Sequence, residues 1–207
     1  MTARVIVFAK APRPGHCKTR LGATLGFEAA AGLYARLLNG YLADLRAHRW
    51  QDTELELAVP PEDLSFFRGV YPDWQLSEQQ GADLGRRMYD ALRRALDGGC
   101  DRVVLSGSDI PFLRAEHVSS GLERLGHSDV VLGPAADGGY YLVGLRAPGA
   151  DLFGGITWST ATVLEQTITR VREQGLSLSL LPELTDLDDM ADYTEWRDRL
   201  ITIRGED

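Results

Sequence analysis

One stretch constrains this chain more than any other: an apolar strand that runs straight into a cationic loop. Val5-Ile6-Val7-Phe8-Ala9 is an unbroken apolar, β-branched run, the pattern of a buried strand. Lys10-Ala11-Pro12-Arg13-Pro14-Gly15-His16-Cys17-Lys18-Thr19-Arg20-Leu21 follows at once. Two prolines and a glycine predict irregular structure there. Lys10, Arg13, Lys18 and Arg20 make the loop basic. An α/β protein places a phosphate-bearing ligand at such a loop, beyond the carboxyl end of its first strand. Of the 22 lysines and arginines, only Lys10 and Lys18 are lysines. A lysine is a compact charge on a flexible stem, able to follow a moving phosphate, where arginine is a planar fork. The competing reading is a solvated basic loop without a ligand.

Downstream, apolar runs and amphipathic stretches alternate. Phe27 to Arg49 carries Leu33, Leu37, Tyr41 and Leu45 at helical spacing. Glu54 to Val59 reads as a strand, Pro60-Pro61-Glu62 as the start of a short helix, and Trp74 to Glu78 as a short strand. Ala82 to Leu96 reads as a helix ended by Gly98-Gly99. Arg102 to Ser106 is a strand, Ala115 to Leu125 a helix, and Asp129 to Leu132 and Tyr140 to Leu145 are strands. Thr160 to Gln174 is a helix with Ser159 as N-cap, Leu176 to Leu181 a strand, and Asp189 to Ile203 a closing helix. The expected architecture is a three-layer α/β domain with a mostly parallel sheet, spanning residues 1–207 as one unit. Tyr140 follows Leu132 too closely for a helical crossover, so one antiparallel strand is expected.

Charge and cysteine content narrow the function. A net charge of −8 argues against nucleic acid or an anionic membrane surface as partner, and leaves the basic loop as a focused anion site. No apolar run approaches the ~20 residues of a membrane span. A strand begins almost at once, so no signal peptide is expected. Cys17 and Cys100 show no pairing pattern, which suggests the reducing cytoplasm. Cys17 beside His16 lacks the neighbours of a metal pair or a nucleophile.

Ligands of such a sheet bind beyond the carboxyl ends of its strands. Three acidic turns fall there besides the basic loop: Ser108-Asp109-Ile110-Pro111, Asp137-Gly138-Gly139 and Asp186-Leu187-Asp188. Carboxylates repel phosphates unless a divalent cation lies between them, and magnesium takes one or two carboxylates plus phosphate oxygens. A metal–nucleotide site follows from the two halves together. Each turn also has a plainer explanation. Asp109 could cap a helix, Asp188 or Asp189 could do the same, and Asp137-Gly138-Gly139 could be only a tight turn. Gln80-Gly81-Ala82-Asp83-Leu84-Gly85 is a further Gly-rich helix entry that could read a base or substrate edge. A Walker loop is excluded because Cys17 precedes Lys18-Thr19 where glycine is required. The dinucleotide fingerprint and the Gly-x-Ser-x-Gly elbow are missing too.

Phe8-Ala9-Lys10-Ala11-Pro12 with Pro14-Gly15, Lys18-Thr19-Arg20-Leu21, Gln80-Gly81 with Asp83-Leu84-Gly85-Arg86-Arg87-Met88, Ser108-Asp109-Ile110-Pro111, Gly133-Pro134 with Asp137-Gly138-Gly139-Tyr140-Tyr141-Leu142, Trp158-Ser159-Thr160 and Asp186-Leu187-Asp188 occur in order along the chain. In these pieces it resembles a bacterial family of GT-A-fold transferases, often called glycosyltransferases, some associated with arsenosugar biosynthesis. More remotely it is similar to the phospholactate, phosphoenolpyruvate and molybdenum-cofactor guanylyltransferases. The resemblance implies a Rossmann-like GT-A fold and nucleotide binding by Ala9, Lys10, Lys18, Arg20, Gln80, Asp83 and Gly85. It implies Mg²⁺ or Mn²⁺ on Asp109, Asp186 and Asp188, and an acceptor near Asp137, Gly138, Gly139 and Ser159. Lys18 and Asp109 are the expected catalytic pair. The expected reaction is nucleotidyl transfer from a nucleoside triphosphate to a small acceptor bearing phosphate or carboxylate. The alternatives are glycosyl transfer from a sugar nucleotide and a nucleotide-binding module without catalysis.

Overall fold

The computed structural model describes residues 2–146, 149–185, 187, 190, 192–194 and 196. In chain order the elements are β1 (Ala3–Phe8), α1 (Thr19–Leu25), α2 (Phe27–Ala47), β2 (Thr53–Val59), a 3-10 turn (Pro61–Asp63), α3 (Leu64–Val70), β3 (Gln75–Glu78), α4 (Leu84–Asp97), β4 (Arg102–Ser106), α5 (Ala115–Arg124), β5 (Val130–Pro134), β6 (Tyr140–Leu145), α6 (Val163–Glu173) and β7 (Leu178–Leu180). The strands form one sheet in the order β3-β2-β1-β4-β6-β5-β7. β6 runs antiparallel to β4 and β5, and every other pairing is parallel. The expected three-layer, mostly parallel sheet with one antiparallel strand is thus the observed one.

Strand alternation divides the core between the two faces of the sheet. Val5 and Val7 of β1 point toward α2 and α5, into a cluster with Tyr34, Leu38, Leu42 and Val118. Ile6 points the other way, toward Met88 and Leu92 of α4 and Val171 of α6. Burying each such side chain stabilises the fold by roughly 1.5–3 kcal/mol. A third cluster, Leu21, Leu33 and Leu187, fastens α1 to α2. Among the described residues, no helix is long and apolar enough to cross a membrane.

Two expectations need correction. The basic segment is not irregular to Leu21, because α1 begins at Thr19 directly after Lys18. The Thr160–Gln174 helix starts later, at Val163, with Thr162 in the N-cap position; Ser159 lies in the preceding loop and caps nothing. Most of the expected Asp189–Ile203 helix lies outside the described residues.

β2 carries one charge into the interior. Glu56 is wholly buried and ion-paired with Arg94 of α4 and Arg4 of β1, while the Ser77 hydroxyl donates to it from β3. These bonds link three adjacent strands to α4. Arg94→Ala should lower the unfolding free energy by about 1–3 kcal/mol in a urea titration, since a buried carboxylate would lose its main partner. An unchanged midpoint would mean that Arg4 and Ser77 suffice.

Candidate active site

β6 runs antiparallel, so its amino end lies at the same edge as the carboxyl ends of β1 and β4. A cleft of about 390 Å³ opens along that edge. Phe8, Ala9 and Lys10 from the end of β1, Gly107 to Asp109 after β4, and Tyr140 to Val143 of β6 form its floor. Tyr34 of α2 enters from one face of the sheet, and Leu84, Arg87 and Met88 of α4 from the other.

The basic loop and the β4 turn meet at this edge. Lys18 is buried, and its Nζ stands 2.9 Å from Oδ2 of Asp109. An ammonium removed from water needs a counter-charge. Asp109 supplies one while its own side chain stays 46% exposed. Lys18 has φ 46° and ψ 47°, a left-handed backbone that turns the loop into α1. Arg20, in the first turn of α1, is exposed, and so is Lys10. Arg13 departs from the expected cationic set. Its guanidinium pairs with Asp63 at 3.0 Å, and Asp63 also accepts the Ala11 N–H at 2.7 Å. Arg13 therefore braces the loop against the 3-10 turn.

Tyr34, which motif reading passed over, joins the two loops. Its hydroxyl accepts the Lys10 N–H at 3.2 Å and shares a hydrogen bond with Ser108 Oγ at 2.9 Å. Burial pushes the phenol up to about 12, so it stays a neutral hydroxyl. Cys17 is buried with its thiol pushed up by desolvation, so it lacks thiolate character.

The Gly-rich helix entry is placed differently from its expected role. Gln80 is exposed and not part of the cleft wall; the neighbouring Gln79 lines it and donates from Nε2 to Ala58 O at 2.8 Å. Asp83 is the N-cap of α4 and accepts from the Arg86 N–H at 2.8 Å. Gly85 is glycine for a packing reason. A Cβ there would lie 2.5 Å from the Trp158 ring. The Asp137 carboxylate accepts the N–H of Gly139 at 2.8 Å and closes the β5–β6 turn. Gly138 has φ +86°, and a Cβ on it would lie 2.1 Å from Ala161 O. The turn and the Ser159 loop are therefore neighbours. Ser159 is exposed with φ 62°. None of Asp137, Gly138, Gly139 or Ser159 lines the cleft.

Among the described residues, no three histidine, cysteine or acidic side chains gather as a metal cluster. Asp186 and Asp188 lie outside the described residues; Leu187 between them is buried against Leu21 and Leu33. Among the described residues that line the cleft, Asp109 is the one carboxylate, which fits a magnesium-type ion that takes few protein carboxylates and completes its shell with phosphate and water.

Known proteins share the chain's sequence and fold. The chain is 30% identical over 169 residues to 2-phospho-L-lactate guanylyltransferase of Methanothermobacter thermautotrophicus, covering 80% of this chain and 70% of that one. A crystal structure from Desulfovibrio desulfuricans G20, provisionally described as a nucleotide-diphospho-sugar transferase, superposes with a TM-score of 0.83 at 39% identity, covering 91% of this chain and 84% of its own. The fold also matches 4-diphosphocytidyl-2C-methyl-D-erythritol synthase of Anaerococcus prevotii, with TM-score 0.62, 9% identity and coverage of 96% and 98%. On the two closer likenesses the chain is an enzyme, a nucleotide-using transferase. Residues 42–160 match the family described as "Uncharacterized protein conserved in bacteria (DUF2064)", and the chain belongs to that family.

Proposed function

We propose that the cleft transfers a nucleotidyl group from a nucleoside triphosphate to a small acceptor bearing a phosphate or carboxylate. The observation that carries this is the Lys18–Asp109 pair, in which a half-exposed carboxylate of the cleft lining is backed by a buried cation from a distant loop. An acceptor oxygen attacks the α-phosphorus, a new P–O bond forms, the bond to the bridging oxygen breaks, and pyrophosphate leaves. The attacking oxygen of a phosphate or carboxylate is already anionic near neutral pH, so no general base is required. Lys18, with Lys10 and Arg20 beside it, offsets the charge that grows on the leaving pyrophosphate. Ala9 and Lys10 hold the nucleotide against the floor, with Gln80, Asp83 and Gly85 at the entrance of α4. Asp137, Gly138, Gly139 and Ser159 lie outside the cleft lining, so an acceptor role for them requires that the acceptor extend past the cleft toward the β5–β6 turn. A divalent ion on Asp109, with Asp186 and Asp188 as further ligands, would neutralise phosphate oxygens and hold them in place. The protein's contribution is positioning and charge, with no protein nucleophile. The free thiols of Cys17 and Cys100 fit a reducing cytoplasm.

The likeness to the Desulfovibrio protein supports a second reading, glycosyl transfer from a sugar nucleotide. The same charges would then serve a diphosphate leaving group. Thermal shift with Mg²⁺ separates the two. Stabilisation by nucleoside triphosphates and not by sugar nucleotides is expected, and the reverse would favour glycosyl transfer.

Asp109→Asn should abolish metal-dependent turnover and, by taking the counter-charge from the buried Lys18 ammonium, lower the melting temperature while circular dichroism still shows the native fold at room temperature; wild-type turnover would remove Asp109 from the chemistry. Lys18→Ala should raise the nucleotide KM tenfold or more, the size expected from a charged contact of ~1.5–3 kcal/mol. Tyr34→Phe should destabilise the protein by about 1–2 kcal/mol, because it strands the Lys10 N–H and the Ser108 hydroxyl. It should raise the nucleotide KM as well, which steady-state kinetics would show.

A further inference from the structure

α4 carries four arginines, and three of them are matched to carboxylates. Arg86 pairs with Asp90 at 3.0 Å, Arg93 with Asp97 at 3.2 Å, and Arg94 with the buried Glu56. Arg87 is the exception. Among the described residues its guanidinium has no ion pair, and its Nε is buried without a hydrogen-bond partner. The residue is half-buried and forms part of the cleft wall between Leu84 and Met88. A buried donor left unmatched costs free energy, and one in the wall of a cleft stands where a ligand can supply the missing acceptor. An arginine bonds oxyanions in pairs of parallel hydrogen bonds, and its Nε takes part in one such pair.

Arg87 also approaches from a different side than the basic loop. α4 packs on the sheet face that holds Met88 and Leu92, while Cys17 and Tyr34, beside Lys18 and Lys10, pack on the opposite face. Lys10 and Arg87 thus line the cleft from opposite faces of the sheet. We infer that Arg87 is a second anion site of the cleft, which receives a phosphate or carboxylate group of a substrate apart from the phosphates handled by Lys18. This rests on the reading of the cleft as a nucleotide-dependent transfer site. The anion is either the acceptor's charged group or a phosphate of the nucleotide, and the two share the same oxyanion chemistry. Where the anion is the acceptor's own, the residue discriminates against neutral acceptors, because a neutral molecule would leave the guanidinium desolvated and unmatched.

Isothermal titration of wild type, Arg87→Gln and Arg87→Lys tests this with three probes: pyrophosphate, each nucleoside triphosphate with Mg²⁺, and 2-phospho-L-lactate. Arg87→Gln should weaken at least one probe tenfold or more, and Arg87→Lys should restore only part of the loss, since an ammonium lacks the fork. Weakening confined to 2-phospho-L-lactate assigns the site to the acceptor. Weakening confined to the nucleotides assigns it to their phosphates. The melting temperature of Arg87→Gln should hold or rise, because an unmatched buried donor is removed. A fall in melting temperature with unchanged affinities would make Arg87 structural and overturn the inference. So would equal affinities for all three probes, or no binding to the wild type. A wild type that binds these anions through Arg87 and transfers no nucleotidyl group would sink the transfer reading alone.

Discussion

The ion pair between Lys18 and Asp109 is the constraint around which the functional edge is arranged. A lysine ammonium held out of water is tolerable only beside a counter-charge, and Asp109 provides one from the far side of β1's neighbour strand. The rest of the loop is built to keep that meeting in register. Asp63 grips Ala11 and Arg13 from below, Tyr34 ties Lys10 to Ser108, and Leu21 sinks into a cluster with Leu33. A segment with two prolines and little secondary structure of its own is thereby held from three directions. Rigidity of this kind suits charge stabilisation, because preorganised groups need not reorient as the reaction proceeds.

The reversed direction of β6 decides what else reaches the cleft. A parallel β6 would put its amino end at the opposite edge, and the tyrosines that follow the double glycine would go with it. Reversal brings Tyr140 and Tyr141 to the ligand edge and leaves the β5–β6 turn beside the loop that carries Ser159. Trp158 of that loop meets α4 at Gly85, where even a methyl group would collide. The entry of α4 and the approach to α6 are therefore one packed unit, although they belong to motifs about seventy residues apart.

Much of this was legible in the chain. Val5-Ile6-Val7-Phe8 and Val103-Val104-Leu105 announce buried central strands because few other elements tolerate such β-branched density. The short gap before Tyr140 reveals the antiparallel strand. What escaped was decided by contacts distant in sequence. α1 was hidden because prolines and a glycine mark the loop before it, while Lys18, Thr19 and Arg20 read as its continuation. Tyr34 sits one position from the Leu33 stripe, so periodicity files it with the core and says nothing of its hydroxyl. Gln79 and Gln80 are indistinguishable until strand register decides which one faces inward. Arg87 falls within the motif that follows Gln80-Gly81 but carries no role there, since the lack of a partner is a property of three-dimensional neighbours.

The backbone of Lys18 has a consequence of its own. Left-handed geometry at a residue with a Cβ costs roughly 1–2 kcal/mol, and glycine would adopt it without penalty. Selection for folding alone would favour glycine at this corner. On the proposed transfer reading, a lysine there marks a position where robustness and turnover pull in opposite directions. Laboratory evolution for heat resistance, run without a demand for catalysis, would on that reading find a gain at this corner and yield a hardier protein with a weakened reaction.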